Sequence, residues 1–411
     1  MGLELLLKDS ETISQLRQSL FGSYLDEYAD WLRACEYNND VANLHIRLIA
    51  DFSRWMKRNG ISVSELSVEF VPRYVRYRRA RQQPHGCEAS APKRFIYFLQ
   101  ERKVIPQTKI QQSACDHVVE DFVSYLVHER ALSPATIDYY SEFSRAFVLN
   151  RFDTKHADLP SLCAADVLQY VQEQVTKDDR KTRAKLMITA LRSFFRYLHY
   201  KGLTDSNLAL VVPSVAQWSK ASLPKFISSE QVESVISSRK GDRATDRRDY
   251  AIFLLLARLG LRAGEVVALT LEDVDWNQGC ITIRGKGRSC TKMPLPADVG
   301  EAMAAYLQDA RPASKLRTVF LSARAPIRGM TVSGLSTRVH YVLDALGIEA
   351  PKRGAHLFRH SLATGMLRGG ASLAEIGELL RHRSTHTTEI YAKVDLASLR
   401  QLALPWPGGA Q

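Results

Sequence analysis

The stretch HLFRHSLATGMLRGGASLAEIGELLRHRSTHTTEIYAKV, residues 356–394, is the part of the sequence around which the rest of the chain is organised. Apolar residues recur at helical spacing on both sides of the Gly369-Gly370 pair, so the stretch predicts two helices that form a compact hairpin. Ser372 is placed to cap the second helix. Such a hairpin would direct a set of chemically useful side chains to one place: His356, Arg359, His360, His382, His386 and Tyr391.

These side chains suit the chemistry of a phosphodiester. Arginine binds the non-bridging oxygens, histidine transfers a proton or donates a hydrogen bond, and tyrosine supplies a nucleophile. The pattern H-x-x-R-H, followed by R-H-R-S-x-x-T-T-x-x-Y-A, resembles the C-terminal signature of the tyrosine recombinases. That family includes phage integrases, Xer-type resolvases and transposon integrases.

Composition restricts the kind of partner that the protein meets. The 411 residues include 56 Lys and Arg against 44 Asp and Glu, a net charge of +12, which favours a polyanion. No run of about eighteen apolar residues is present, and the N-terminus lacks the pattern of a signal peptide, so no membrane association is expected. Six scattered cysteines without a C-x-x-C pair indicate a reducing compartment. We therefore expect a bacterial cytoplasmic protein that joins the nucleoid when it binds double-stranded DNA.

The sequence divides into four parts. Residues 111–212 resemble the core-binding, SAM-like helical domain of the family, through SPATIDYYSEFSRAF (133–147) and TRAKLMITALRSFFRYLHYKGL (182–203). Residues 213–225 have the serine, proline and lysine content of an interdomain linker. Residues 226–411 then form the catalytic domain. Residues 1–110 are an additional helical domain, arm-like or devoted to interactions, which the resemblance does not cover.

Two pairs of segments suggest an internal duplication. ADFSRWM (50–56) parallels SEFSRAF (141–147), and RFIYFLQERKVI (94–105) parallels SFFRYLHYKGL (193–203). The alternative is that any two amphipathic helices share this much. The segment VRYRRARQQPHG (75–86) is densely basic, which is typical of a DNA contact but equally of a solvated charged face.

The expected fold is mainly α, with a small antiparallel β-sheet in the catalytic domain. Ser228 or Ser229 is placed to cap the first helix of that domain, and Pro72 is expected to interrupt the helical pattern of the first domain. In CITIRGKGRSCTKMPLP (280–296), alternating Ile281 and Ile283 precede a glycine-rich basic turn, which predicts two strands of a hairpin.

Arg262 and Lys286 lie in predicted turns that precede the helical hairpin of residues 356–394 in the sequence. Arg262 follows a glycine-containing turn in LGLRAGEVVAL, and Glu265 either holds its guanidinium or is a solvated helix residue. The match to L-G-L-R-x-x-E-x-x-x-L implies that Arg262 is the first catalytic arginine. Lys286, at the hairpin tip, is by position a solvated loop lysine, but the resemblance implies the lysine that protonates the leaving 5′ oxygen. Lys292 is the neighbouring alternative.

The resemblance also assigns the remaining roles. Arg359 becomes the second arginine of a phosphate clamp, and His356, three residues before it on the same helical side, the proton acceptor or hydrogen-bond donor. His382, nine residues before the tyrosine, is the third polar partner. Tyr391 attacks phosphorus and forms a 3′-phosphotyrosine. This step conserves the bond energy, so no cofactor or metal is required.

His360 and His386 are left over by these assignments. Each forms a His pair at i, i+4 spacing, which is a zinc-ligand spacing on a helix. The glutamate of H-E-x-x-H is missing and no cysteine is nearby, so a zinc hydrolase is disfavoured. We expect His360 to pack behind the catalytic groups and His386 to be peripheral.

The function that follows is site-specific DNA recombination through a phosphotyrosyl intermediate and a Holliday junction, in integration, transposition or resolution. This mechanism implies four protomers on two DNA sites, alone or with partner recombinases. Two alternatives remain at this point: a type IB topoisomerase-like enzyme and a catalytically inactive DNA-binding regulator. A C-terminal amphipathic segment with Leu396, Leu399 and Leu402 would dock on a neighbouring protomer or cover its own core.

Overall fold

The computed structural model describes residues 2–7, 9–81, 83, 86–106, 113–152, 157–177, 181–214, 225–285, 290–350, 354–382 and 384–394. The chain divides into two compact units, one made of Met1–Arg102 with Lys220–Gln411 and the other of Lys103–Ser219. The predicted fold class is confirmed, since helices dominate and the described strands form one small sheet. No helix in the described ranges is long and apolar enough to cross a membrane.

Five helices occupy the first hundred residues: α1 Ser10–Arg17, α2 Gly22–Ala34, α3 Asn39–Arg58, α4 Phe70–Arg79 and α5 Ser90–Glu101. Asn38 caps α3, because its side chain accepts hydrogen bonds from the N–H groups of Asp40 and Val41. Pro72 does not interrupt a helix, contrary to the expectation. It lies in the first turn of α4, where its missing N–H removes no intrahelical hydrogen bond.

The unit Lys103–Ser219 contains four helices: α6 Ala114–His128, α7 Pro134–Arg151, α8 Ala164–Lys177 and α9 Lys181–Tyr200. Short 3-10 turns lie at Leu159–Ser161 and Leu208–Leu210. Ser113 and Asp116 form a capping box on α6. Ser133 is the N-cap of α7, and Pro134 lies in its first turn.

Residues from 225 onwards form eight described helices: α10 Ser229–Ser237, α11 Ala244–Arg258, α12 Ala263–Ala268, α13 Ala297–Asp309, α14 Val332–Ala345, α15 His356–Arg368, α16 Leu373–Leu379 and α17 Thr385–Thr388. Short 3-10 turns lie at Leu271–Asp273 and Glu389–Val394. Ser228 caps α10 and forms a capping box with Gln231. Helix α11 is central, because every residue from 251 to 257 is buried.

The sheet has the order β1 (Val274–Asp275), β2 (Cys280–Arg284), β3 (Cys290–Pro294), with both pairings antiparallel. Ile281 pairs with Met293 and Ile283 with Thr291. Ile281 and Ile283 are both buried, so the predicted alternation is confirmed. The turn that joins β2 to β3, with Lys286, lies outside the described residues.

Candidate active site

The two C-terminal helices adopt the predicted hairpin. Helix α15 ends at Gly369, and Gly370 takes the left-handed φ of +91° that its turn needs. Ser372 then caps α16 in a capping box with Glu375. His356 is the first residue of α15, and Arg359 and His360 follow within its first turns. The hairpin therefore fixes three of the predicted side chains on one short helix.

Arg359 is a buried arginine, with 3% of its surface exposed. Its Nη1 donates to the carbonyl of Gly260 at 2.7 Å, and its Nη2 donates to the carbonyl of Leu380. Burial, together with the charges of Arg262 and Arg381, lowers the pKa of Arg359 to about 10, so the group remains cationic at neutral pH. The backbone of two separate turns thus orients this guanidinium.

Arg262 is the N-cap of α12 and is held by Glu265. Its backbone N–H and its Nη1 donate to the two carboxylate oxygens of Glu265, at 2.9 Å and 2.7 Å. Glu265 is 7% exposed, whereas the Arg262 side chain is 39% exposed. Of the two readings of Glu265, the structure supports the one in which it holds the guanidinium. Arg262 therefore presents an oriented, accessible cation.

Arg381 shares the same carboxylate. Its Nη2 donates to Oε2 of Glu265 at 3.0 Å, and its side chain is 11% exposed. Burial alone raises the pKa of Glu265, but hydrogen bonds from Arg262 and the charges of both arginines bring that pKa below its ordinary value. Arg381 has a left-handed φ of +54°, and its buried Nε has no hydrogen-bond partner. One carboxylate thus faces two guanidinium groups.

Tyr391 is 1% exposed and packs with Ala363, Ile376 and Leu380. Its phenol oxygen lies 2.9 Å from Nδ1 of His360. Burial raises the pKa of Tyr391 to about 12, although the positive charges of Arg359 and Arg262 act in the opposite direction. The phenol is therefore protonated at neutral pH, with an imidazole nitrogen in hydrogen-bonding distance.

His382 follows α16 and contacts a residue of α17. Its Nδ1 lies 2.7 Å from the hydroxyl oxygen of Thr388, a 3% exposed threonine. Burial, followed by the charge of Arg359, lowers the pKa of His382 to about 4. The imidazole is therefore neutral at physiological pH and available as a hydrogen-bonding group.

A cavity of about 1000 Å³ collects several of these side chains. Its polar lining includes Arg262, Glu265, His356, Arg381 and His382. The cations exceed the carboxylates around it, which suits an anionic ligand. His356 is exposed on this cavity, whereas Arg359 and Tyr391 are buried and do not line it.

Two of the predicted positions fall outside what the structure describes. Lys286 lies in residues 286–289, and the side chain of His386 is likewise not described. Lys292, the alternative lysine, lies on β3 and its Nζ is 3.8 Å from a carboxylate oxygen of Asp275. Lys292 does not line the cavity. In the described ranges, no group of three or more His, Cys, Asp and Glu side chains could hold a metal ion.

His360 contacts the phenol of Tyr391 directly, in keeping with the expectation that it packs behind the proposed catalytic groups. One residue of this site was missed from the sequence. Arg381 was not considered, yet it joins Arg262 on Glu265. A signal existed for His360, since it shares α15 with Arg359, but nothing in the sequence pairs it with a tyrosine 31 residues away.

Known proteins are similar to this chain over most of its length. The model of the phage integrase family matches residues 225–397, and that of the phage integrase N-terminal SAM-like domain matches residues 119–202. The integrase/recombinase y4rA of Sinorhizobium fredii is 44% identical over 393 residues, 94% of this chain and 95% of the relative. Tyrosine recombinase XerD of Vibrio vulnificus is 31% identical over 291 residues, 69% of this chain and 93% of the relative.

Solved structures share the fold. XerH site-specific recombinase, bound to palindromic difH substrate in a post-cleavage complex, has a TM-score of 0.54 and 19% identity, covering 76% of this chain and 94% of its own. The integrase of transposon Tn1549, in complex with a circular intermediate DNA, has a TM-score of 0.52 and 17% identity, covering 70% and 99%.

Proposed function

Because this chain belongs to the phage integrase family and is a tyrosine site-specific recombinase, we propose that Tyr391 is its nucleophile and that the cavity lined by Arg262, Arg381 and His382 binds the scissile phosphate of duplex DNA. The excess of cations in the cavity lining supports its role as the phosphate-binding site. Arg262 and Arg381 are both oriented by the single buried carboxylate of Glu265. A phosphodiester supplies the negative charge that this arrangement lacks.

In the proposed cleavage step, the phenol oxygen of Tyr391 forms a bond to phosphorus as its proton passes to Nδ1 of His360. The bond from phosphorus to the 5′ oxygen breaks. Arg262 and Arg359 stabilise the negative charge on the non-bridging oxygens, and His356 and His382 bind those oxygens by hydrogen bonds. Lys286 donates a proton to the leaving 5′ oxygen. The product is a 3′-phosphotyrosyl linkage and a free 5′ hydroxyl.

In the resealing step, a 5′ hydroxyl from another strand attacks the phosphorus of the 3′-phosphotyrosyl linkage and releases Tyr391. Two such exchanges form and resolve a Holliday junction, which requires four protomers on two DNA sites. We propose a homotetramer, with a mixed assembly that includes a partner recombinase as the alternative. The bond energy is conserved in the phosphotyrosine, so this chemistry uses no cofactor. The site of action in this proposal is the nucleoid of a bacterial cytoplasm.

The proposed division of labour follows the domain boundaries predicted from the sequence. Residues 111–212 grip the DNA at the core site, 213–225 link the domains, and 226–411 carry the chemistry. The match of the SAM-like family model to residues 119–202 and of the integrase model to 225–397 supports these assignments. The proposed C-terminal docking segment with Leu396 lies outside the described residues.

A suicide substrate tests the nucleophile. A nicked duplex from the end of the native element is incubated with the protein in the absence of metal, and denaturant-resistant protein–DNA adducts are counted. We expect an adduct with the wild type and with Tyr341→Phe, a control at an exposed tyrosine of α14, but none with Tyr391→Phe. An adduct that survives Tyr391→Phe would refute the assignment. Tight binding without any adduct in the wild type would favour the regulator.

A further inference from the structure

Four of the five helices in the first hundred residues correspond in order to the four helices of Lys103–Ser219. Helices α2, α3, α4 and α5 match α6, α7, α8 and α9, and in both sets the second helix is longer than the first. The segments that are similar in sequence fall on α3 with α7 and on α5 with α9. Below, residues 22–103 are called the first module and residues 114–202 the second module.

The aromatic cores of the two modules correspond residue by residue. In the first module, the ring of Tyr28 meets Phe95 edge-on at 5.0 Å between centroids and Phe98 at 5.2 Å. In the second module, the ring of Phe122 meets Phe194 edge-on at 5.1 Å and Tyr197 at 5.2 Å. Each first helix also carries a stacked pair three residues apart. The corresponding sets are Tyr28, Trp31, Phe95 and Phe98 in the first module and Phe122, Tyr125, Phe194 and Tyr197 in the second.

Polar and backbone features follow the same correspondence. Ser53 in α3 and Ser144 in α7 are both buried, at 2% and 0% exposure. The chain leaves α5 through Lys103 with a φ of +57° and leaves α9 through Gly202 with a φ of +68°. Amphipathic helices in general share apolar spacing, but they do not share ring pairs, buried serines and a left-handed residue at one position. These shared features support a structural duplication.

The two modules differ in charge. Residues 39–81, which include α3 and α4, contain nine Lys and Arg against four Asp and Glu. The equivalent residues 134–177 of the second module contain four against six. The SAM-like family model matches the second module, yet the first module has the more basic surface. A neutral spacer would not need this excess of cations.

Four of these nine cations lie with Tyr77 on one exposed face, here called the α4 patch: Arg58, Arg73, Arg76, Tyr77 and Arg81. Nη1 of Arg58 donates to the phenol oxygen of Tyr77 at 2.6 Å, and the guanidinium of Arg81 lies 4.1 Å from the centroid of the same ring. Arg73 and Arg76 are exposed and lie on the same side of α4 as Tyr77, at helical spacing.

The arginines of the α4 patch differ from two other arginines of α4, which form ion pairs within the protein. Arg78 and Arg79 both pair with Glu88, a 1% exposed carboxylate, and Arg78 also pairs with Asp51. By contrast, no carboxylate in the described part of the chain lies within ion-pair distance of the four arginines of the α4 patch. Their charge is therefore available to an external anion.

We infer that the first module is a second copy of the SAM-like module and that its α4 patch binds the phosphates of duplex DNA outside the cleavage site. From residue 73 to the end of α4 at residue 79 the patch extends roughly 9 Å along the helix. This length spans about three nucleotides of one strand at about 3.4 Å each. The inference rests on the proposed function in taking duplex DNA as the substrate, but it concerns a surface that the chemistry does not use.

Binding of the full chain to two DNA lengths tests the inference. One duplex contains only the core site and the other adds its native flanks. We expect Arg73→Gln/Arg76→Gln to weaken binding to the long duplex roughly tenfold and to reduce its salt slope by about 2, since each lost phosphate contact lowers the slope by about 0.9. Binding to the core duplex should not change. The matched control, Arg33→Gln/Lys93→Gln, removes equal charge from α2 and α5 of the same module and should bind like the wild type.

Thermal midpoints, adduct yield and sedimentation distinguish a loss of DNA binding from a change in folding, cleavage or assembly. Thermal midpoints should stay at the wild-type value, because Arg73 and Arg76 are exposed and without ion pairs. The adduct yield on the core suicide substrate should also stay unchanged, so failure of the cleavage chemistry would be seen separately. Equal affinity and salt slope for both double variants on both duplexes would overturn the inference. So would unchanged DNA binding with a loss of assembly in sedimentation, which would assign the patch to an acidic protein surface.

Discussion

The contact between Tyr391 and His360 is the residue-scale feature that bears most directly on the chemistry. The phenol oxygen and Nδ1 are 2.9 Å apart, and burial raises the pKa of Tyr391 to about 12. A phenol of this kind loses its proton slowly to water, so a neighbouring imidazole that accepts it lowers the barrier. Nδ1 can accept only when the ring carries its proton on Nε2.

We expect His360→Ala to slow adduct formation on the suicide substrate by about 10² to 10⁴-fold, the range for loss of a general acid or base. DNA affinity should remain within about twofold of the wild type, since the phenol is buried away from the cavity. His340→Ala removes an exposed histidine of α14 and is the matched control. An unchanged cleavage rate in single-turnover measurements would show that the contact only packs the ring.

Arg381 combines a left-handed backbone with a buried charge, so two substitutions can separate these effects. Its φ is +54°, a region where a Cβ costs about 1–2 kcal/mol. Both Arg381→Gly and Arg381→Ala remove one of the two arginine partners of Glu265, and we expect both to lower the free energy of unfolding. Arg381→Gly should be the more stable of the two by about 1 kcal/mol. Denaturant unfolding measures the difference, and equal stabilities would contradict the strained backbone.

Some residue-scale features were accessible from the sequence and others were not. The caps at Ser228 and Ser372 were predicted because a cap depends on neighbours three residues away. The arginine pair on Glu265 joins residues 116 positions apart, and only packing of α12 against the turn after α16 brings them together. Local spacing contains no information on such a contact.

Gly260 shows how a turn between elements orients the guanidinium of Arg359, which is proposed above to be catalytic. Its φ is +58°, and its carbonyl accepts a hydrogen bond from Arg359. A Cβ on Gly260 would lie 2.7 Å from the Cδ2 of Leu380 and 3.0 Å from the Cδ2 of Leu362. A side chain in the turn after α11 would therefore have to displace the ends of two leucines of the α15–α16 hairpin.

We expect Gly260→Ala to destabilise the protein by about 2–4 kcal/mol, from left-handed strain plus overpacking. Gly279→Ala is a close control, because Gly279 has a φ of +60° but nothing within 4 Å of its Cβ position. That variant should lose only about 1–2 kcal/mol. Thermal or denaturant unfolding of the two variants gives the comparison, and equal losses would show that the clash relaxes freely.

At the scale of elements, the sequence predicted type and order well where periodicity was strong. The hairpin of α15 and α16 and the pairing of β2 with β3 follow from residues that are close in the chain. Pro72 was misjudged because proline stops a helix only beyond its first turn, and the start of α4 carried no capping signal.

We expect the free energy of unfolding of the whole molecule to decrease as the pH is lowered. Burial lowers the pKa of His45 to about 4, from an ordinary value of 6.5, and that of His382 also to about 4. Between pH 4 and pH 6.5 the unfolded chain binds more protons than the folded chain. The free energy of unfolding is therefore highest above about pH 6.5 and decreases as the pH falls towards 4. For His45, which is 1% exposed, the loss reaches roughly 3 kcal/mol at most, at about 1.4 kcal/mol for each pKa unit.

Thermal midpoints measured from pH 7.5 down to pH 5 test this expectation. His45→Gln should flatten the decline, because the titrating group is removed, although its midpoint at pH 7.5 will be lower if the contact with Tyr28 is lost. His340→Gln, at an exposed histidine, should decline like the wild type. A wild-type midpoint that is constant between pH 6.5 and pH 5 would contradict the assignment of neutral, buried histidines.

For the whole chain, the sequence was most informative about the family and least about the first hundred residues. The motif around Tyr391 carried the family, since residue type, order and spacing all matched. The duplication inferred above could only be suspected from the sequence, because it rests on ring geometry that the two modules share. Ring pairs are a property of packing, and they become visible only when the helices are assembled.

The burial of Tyr391 has a consequence for the genome on which such a protein acts. A phenol with 1% exposure cannot meet a phosphate until the Glu389–Val394 turn is displaced. For the proposed nucleophile, occupancy of a DNA site would then not be sufficient for cleavage, because the turn must also move before the phenol reaches a phosphate. The step that moves the turn would therefore decide which occupied sites are cut.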